Sequence, residues 1–270
     1  LLMLFLTGLQ MMWTNHIFAL IRRFSRMIAS SYMVFNAAML TVANLGGIQL
    51  ELAFMQFCVI SFLILFFSCY QYRQAQGVIL SAFLMIGLAS LVFKQILFII
   101  PILWLLTGYC MVTFSAKIWL SSVFCIALPY SFVYSYYIIA GTPPDEQTLM
   151  HNWQFGRVMH FRYIPTTQLL SFAFSTAMSL LGTVHLLREG HKDKVRTRMM
   201  YQTFMAVAFF AFAMSILQPH LLPYFTALQI IPASAMFGHF STLTDSRQSN
   251  AAFIAICLAT LAIAVYNLVI

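Results

Sequence analysis

Long apolar blocks fill this chain, separated by brief polar or charged breaks, and within the blocks apolar and polar positions do not alternate. Cys58–Phe67, for example, reads CVISFLILFF. A transmembrane β-barrel strand would alternate over about ten positions, so the blocks predict α-helices. Crossing a hydrocarbon core about 30 Å thick takes about 20 predominantly apolar residues, since a helix rises about 1.5 Å per residue. Cutting at charges, Pro/Gly clusters and polar breaks gives ten segments: 1–21, 27–45, 52–71, 78–93, 97–115, 118–140, 164–187, 199–217, 221–240 and 251–270. The expected fold is all-α, a polytopic transmembrane helical bundle of about ten spans that forms a single domain over residues 1–270. The weakest segments are 78–93, which is short, and 221–240, which contains Pro223 and Pro232. Proline within a membrane helix is tolerated where neighbours re-satisfy the freed carbonyl.

Composition removes the soluble alternative. Apolar and aromatic residues make up 62% of the 270 positions and charged residues 7%, against about 25% charged in a soluble domain. The formal net charge of +8 is first a topology signal in such a chain, so nucleic acid is not an expected partner. Odd-numbered connections hold eleven of the fourteen basic residues: Arg22, Arg23, Arg26, Arg73, Lys117, Arg188, Lys192, Lys194, Arg196, Arg198 and Arg247. Lys94, Arg157 and Arg162 fall in even-numbered ones. Lys and Arg concentrate on the cytoplasmic side, which puts the odd connections inside. The chain opens LLMLFLTGLQ, without an initiator Met or a charged leader, and reads as lacking an amino-terminal segment rather than carrying a signal peptide.

Few positions offer chemistry. Cys58, Cys69, Cys110, Cys125 and Cys257 all lie in apolar blocks with no CxxC spacing, which argues against a disulfide framework or a metal cluster. No metal or cofactor is expected. The inner connection REGHKDKVRTR sets five basic residues against two acidic ones just ahead of a helix. It suits anionic headgroups, a phosphate-bearing ligand or an acidic partner, or it serves as an anchor whose Lys and Arg snorkel to headgroup level. Lys192, Lys194, Arg196 and Arg198 are its contact candidates. On the outer side, Gly141–Tyr163 mixes paired prolines, aromatic residues, His151, His160, Arg157 and Arg162, as an interfacial helix does. Lys94, in a short outer turn, joins Arg157 and Arg162 as a phosphate-contacting candidate. Within the spans, polar groups need a partner or a cavity. Asn15, His16, Asn36, Asn44 and Gln229 are the candidates, with Asn267 in the last span and His185 near the inner end of the seventh. No acidic residue stands mid-span, which counts against a proton-driven pump.

DKVRTR at 193–198, QP at 218–219 and GHFSTLTDSRQSN at 238–250 with the closing apolar span resemble a family of uncharacterised polytopic inner-membrane proteins of Bacteroidetes. LFFSCYQ at 65–71, IGLASLVFKQILFIIPILWLL at 86–106 and LPYSFVYSYY at 128–137 agree with it. The resemblance covers most of the chain and implies a multi-pass place in the bacterial inner membrane, without an activity. GLASLVFKQILFIIPILWLL is also similar to segments of membrane glycosyltransferases that use polyprenyl-phosphate sugars. Those enzymes carry an essential carboxylate in their first outer loop; this sequence is expected to begin after the place of that loop, and its next outer connection, GGIQLE, offers only Glu51. The expected function is a non-catalytic scaffold or subunit of an envelope complex, whose partners are membrane lipids and other inner-membrane or envelope proteins. A glycosyltransferase-like or flippase-like protein handling a polyprenyl-phosphate-linked glycan is the alternative, which leaves enzymatic activity open.

Overall fold

A computed structural model describes residues 2–22, 25–40, 48–71, 76–109, 116–141, 164–244 and 247–269. Among them are ten α-helices and no strand: α1 (Leu2–Phe18), α2 (Met27–Leu40), α3 (Ile48–Ser68), α4 (Gln76–Val92), α5 (Ile100–Tyr109), α6 (Ala116–Ala140), α7 (Thr166–Glu189), α8 (Val195–Leu217), α9 (Leu222–Leu243) and α10 (Arg247–Val269). Short 3-10 turns cover Lys94–Ile99, Gly190–Lys192 and Pro219–Leu221. Every segment expected from the sequence overlaps one helix. Six stretches are long and apolar enough to cross a membrane: α3, α6, α7 with its 3-10 turn, α8, α9 with its 3-10 turn, and Asn250–Asn267 of α10. The described parts of the other four helices are shorter, and the 14 described residues of α2 rise about 21 Å.

The chain forms two compact units, Leu1–Gln56 with Met159–Ile270, and Phe57–Val158. In the first, α9 is the central helix, and α7, α2 and α8 pack around it; α1 lies on α2, and α10 on α2 and α7. Of its most apolar stretch 83% is buried, so α9 meets protein on nearly every side. Small residues let its neighbours approach. A Cβ on Gly182 of α7 would lie 2.4 Å from Met236 Cβ, and one on Gly238 of α9 would lie 2.7 Å from Ile28 Cγ1. Pro232 inside α9 leaves the Leu228 carbonyl without its usual donor, a loss tolerated where other helices surround the break.

Polar side chains join these helices. Tyr32 donates to Gln56 Oε1 at 2.9 Å, while Gln56 Nε2 donates to Asn36 Oδ1 and to the Ala227 carbonyl, each at 2.9 Å. Asn36 Nδ2 in turn donates to the Tyr32 carbonyl. Asn267 Nδ2 reaches the Ala38 carbonyl at 2.8 Å and Ser171 Oγ at 3.2 Å. Gln229 Nε2 donates to Ser179 Oγ at 3.0 Å. Such bonds between membrane helices each contribute about 0.6–2 kcal/mol.

In the second unit α4 packs on α6, with Gly87 set against the Ile126 backbone and Pro129. Tyr130 donates to Ser90 Oγ at 2.9 Å, and Trp104 Nε1 to Ser122 Oγ at 2.9 Å. Only 6% of the apolar stretch of α6 is buried; Phe124, Phe132, Tyr136 and Ile139 are exposed.

Candidate functional site

At one end of the first unit, five segments bring charged and aromatic groups together. The connection from α1 to α2 supplies Arg22. Ala19 takes a left-handed conformation with φ of 47° just after α1, and the next two residues, Leu20 and Ile21, turn into the core. Asn15 fastens this turn from both sides: its Oδ1 accepts from the Ile21 N–H and its Nδ2 donates to the Ser25 carbonyl. A left-handed alanine costs about 1–2 kcal/mol, and these two bonds hold it there.

The connection from α7 to α8 supplies Asp193. After Glu189 the chain makes a 3-10 turn, and the Asp193 N–H closes it on the Gly190 carbonyl. Asp193 and Lys194 are extended, and α8 begins at Val195. The turn points the Asp193 side chain inward, where it is 2% exposed. Oδ1 accepts from Arg22 Nε at 2.6 Å, and Oδ2 accepts from His239 Nε2 at 3.1 Å. Arg22 is 43% exposed and His239, on α9, is 1% exposed, so the pair has one wet end and one dry end. Tyr201 of α8 meets the His239 ring edge-on at 4.8 Å between centroids, and His185 of α7 lies 5.4 Å from it.

Three buried atoms of this cluster, His239 Nδ1, His185 Nε2 and Tyr201 Oη, find no hydrogen-bond partner among the described residues. Buried polar atoms are rarely left so. Two clefts flank them. One, of about 210 Å³, is lined by Arg22, His185, Glu189, Lys192, His239 and Leu243. The other, of about 190 Å³, includes Asp193, Arg198 and Tyr201 in its wall. Chemically this is a carboxylate-oriented imidazole with one unpartnered, buried nitrogen, beside cations. Among the described residues no group of three or more His, Cys, Asp or Glu side chains is placed to hold a metal ion.

No family model, curated protein or solved structure matches this chain.

Members of the basic block lie in different places. Lys192 is exposed and its ammonium pairs with Glu189. Arg196 lies over the Phe18 ring at 5.4 Å, and Arg198 lines the second cleft. Lys194 is exposed and precedes the first residue of α8. Among the intramembrane candidates, Asn36 and Gln229 are buried between helices, His16 is exposed, and Asn15 fastens the Arg22 turn. Lys94 opens the 3-10 turn of the second unit and is half-buried. Asn44, Arg157 and Arg162 lie outside the described residues. Sequence reasoning missed Asp193, Tyr201 and His239 as site residues. The available signal was an acid inside a basic connection together with a histidine near the end of an apolar span.

Proposed function

We propose that this chain is a non-catalytic, multi-pass component of a bacterial inner membrane, a scaffold or subunit against which other envelope proteins pack. The observation that carries this reading is where the buried polar groups are spent. Tyr32, Asn36 and Gln56 bond to one another, and Gln56 also bonds to the α9 backbone; Asn267 similarly bonds to α2 and α7. Groups used in this way fix helices rather than line a passage. Asp193, the one buried acid among the described residues, is held by two partners. Meanwhile α6 presents a long apolar face with exposed aromatic residues, a surface that suits a partner helix.

Photo-crosslinking amino acids at Phe132 and Tyr136, activated in native membranes, test this. We expect one discrete protein adduct of the same mass from both positions. Lipid adducts alone at both positions would remove the scaffold reading.

A further inference from the structure

We propose that the cleft beside His239 binds a phosphate group. This goes beyond the scaffold reading and does not depend on it. The cavity of about 210 Å³ brings Arg22, Lys192, His185 and His239 together from three parts of the chain: the α1–α2 connection, α7 with its 3-10 turn, and α9. Donors converging from several directions match a tetrahedral oxyanion, whereas a carboxylate presents two oxygens in one plane. A guanidinium has five N–H groups and an ammonium three. Arg22 gives Nε to Asp193, and Lys192 is engaged with Glu189, so each cation has donors left for phosphate oxygens without breaking its pair.

The second, independent observation is the orphaned imidazole. His239 is 1% exposed, and its Nδ1 has no partner among the described residues; His185 Nε2 is likewise unpartnered. Because Nε2–H is directed to Asp193 Oδ2, a proton taken up at Nδ1 leaves a cationic ring in the wall of the cleft. The charges facing this ring are Arg22, Lys192, Glu189 and Asp193, with His185 and Tyr201 beside it. Two cations and two carboxylates cancel, so the protons on the imidazoles supply the positive charge that a phosphate needs. Anion binding is then coupled to proton uptake and weakens as pH rises. The cleft lies at the ends of α7 and α9, beside a connection holding five basic residues, where a lipid headgroup and a free phosphate are both within reach.

The test uses the purified full chain in an uncharged detergent, titrated calorimetrically with inorganic phosphate, sulfate, dihexanoyl phosphatidic acid and dihexanoyl phosphatidylcholine. At least one of phosphate and phosphatidic acid should bind saturably. Phosphatidic acid alone identifies a lipid headgroup as the source, and phosphate binding equally well identifies the free ion. Sulfate does not titrate near neutrality, so its binding reports on the protein, and it should weaken severalfold as pH is raised. Lys192→Met and His185→Gln, each at a position that is not fully buried, should leave the unfolding temperature unchanged and weaken binding about tenfold, the scale of one charge-assisted hydrogen bond. Absence of saturable binding by both phosphate probes overturns the proposal. So does binding in both variants that equals the unsubstituted protein.

Discussion

The Asp193 carboxylate joins a half-exposed arginine to a buried histidine, and two substitutions separate its charge from its shape. Asp193→Ala removes both acceptors and leaves His239 without its partner in a dry place; breaking such a buried pair costs about 3–5 kcal/mol. Since Arg22 is 43% exposed and regains water, the lower end, about 3 kcal/mol, is expected. Asp193→Asn keeps one carbonyl acceptor for His239 and should cost about 1–2 kcal/mol. Thermal unfolding in mild detergent measures both, and equal losses would show that the charge, not the acceptor, is what matters. None of this geometry was legible in the chain order. Arg22, His185, Asp193, Tyr201 and His239 come from five segments, and an acid between two lysines reads as a solvated partner for its neighbours. Asn15 was legible as a polar group needing a partner, yet the partner is the backbone of its own following turn, which residue type alone does not reveal.

Among the helices, α7 carries a stripe of small residues. Ser171, Ser175, Ser179 and Gly182 recur at intervals of three and four and are all buried. Small residues at this spacing let membrane helices approach closely, because lipid tails provide little hydrophobic drive for association. Ser179 receives Gln229 of α9, Ser171 receives Asn267 of α10, and Gly182 meets the Met236 backbone. Gly182→Val is therefore expected to push α7 from α9. Its Cβ would stand 3.0 Å from the Met236 carbonyl carbon, which cannot rotate away, and overpacking of this kind costs about 1–3 kcal/mol. Gly77 has open space around it, so Gly77→Val reports on propensity alone. Denaturant titration of the two proteins distinguishes contact from propensity, and equal losses would contradict the close approach. Helix positions followed directly from the apolar blocks, since a block with no alternation leaves few other options in lipid. Lengths did not. The segment 1–21 stops being helical at Phe18, and 97–115 opens in a 3-10 turn that gives way to α5 at Ile100, because hydropathy counts apolar residues and does not register where α-helical hydrogen bonding starts and stops.

Across the whole molecule, the uneven distribution of basic residues meets a geometric check inside the first unit. Arg22 pairs with Asp193, Ser25 lies 3.4 Å from Thr242 across their hydroxyls, and Arg196 covers Phe18. Three odd-numbered connections thus gather at one end. Glu51 accepts from Tyr224, and Thr166 lies 3.3 Å from Tyr266 across their hydroxyls. These residues follow the second and sixth connections, open α9 or approach the close of α10, which are the places an alternating path assigns to the opposite end. If the chain alternates as the charges imply, the basic end faces the cytoplasm, because translocating Lys and Arg is disfavoured. Single cysteines at Lys194 and Thr242, and at Ile48 and His220, placed after the native cysteines are replaced, give the test in intact cells with a membrane-impermeant thiol reagent. Ile48 and His220 should label from outside, while Lys194 and Thr242 should label only after the membrane is opened. Labelling of Lys194 from outside would invert the orientation and carry the phosphate cleft with it. Labelling of all four from one side would defeat the alternation itself, since Arg22 and Asp193 could no longer report a shared end distinct from that of Glu51 and Tyr224.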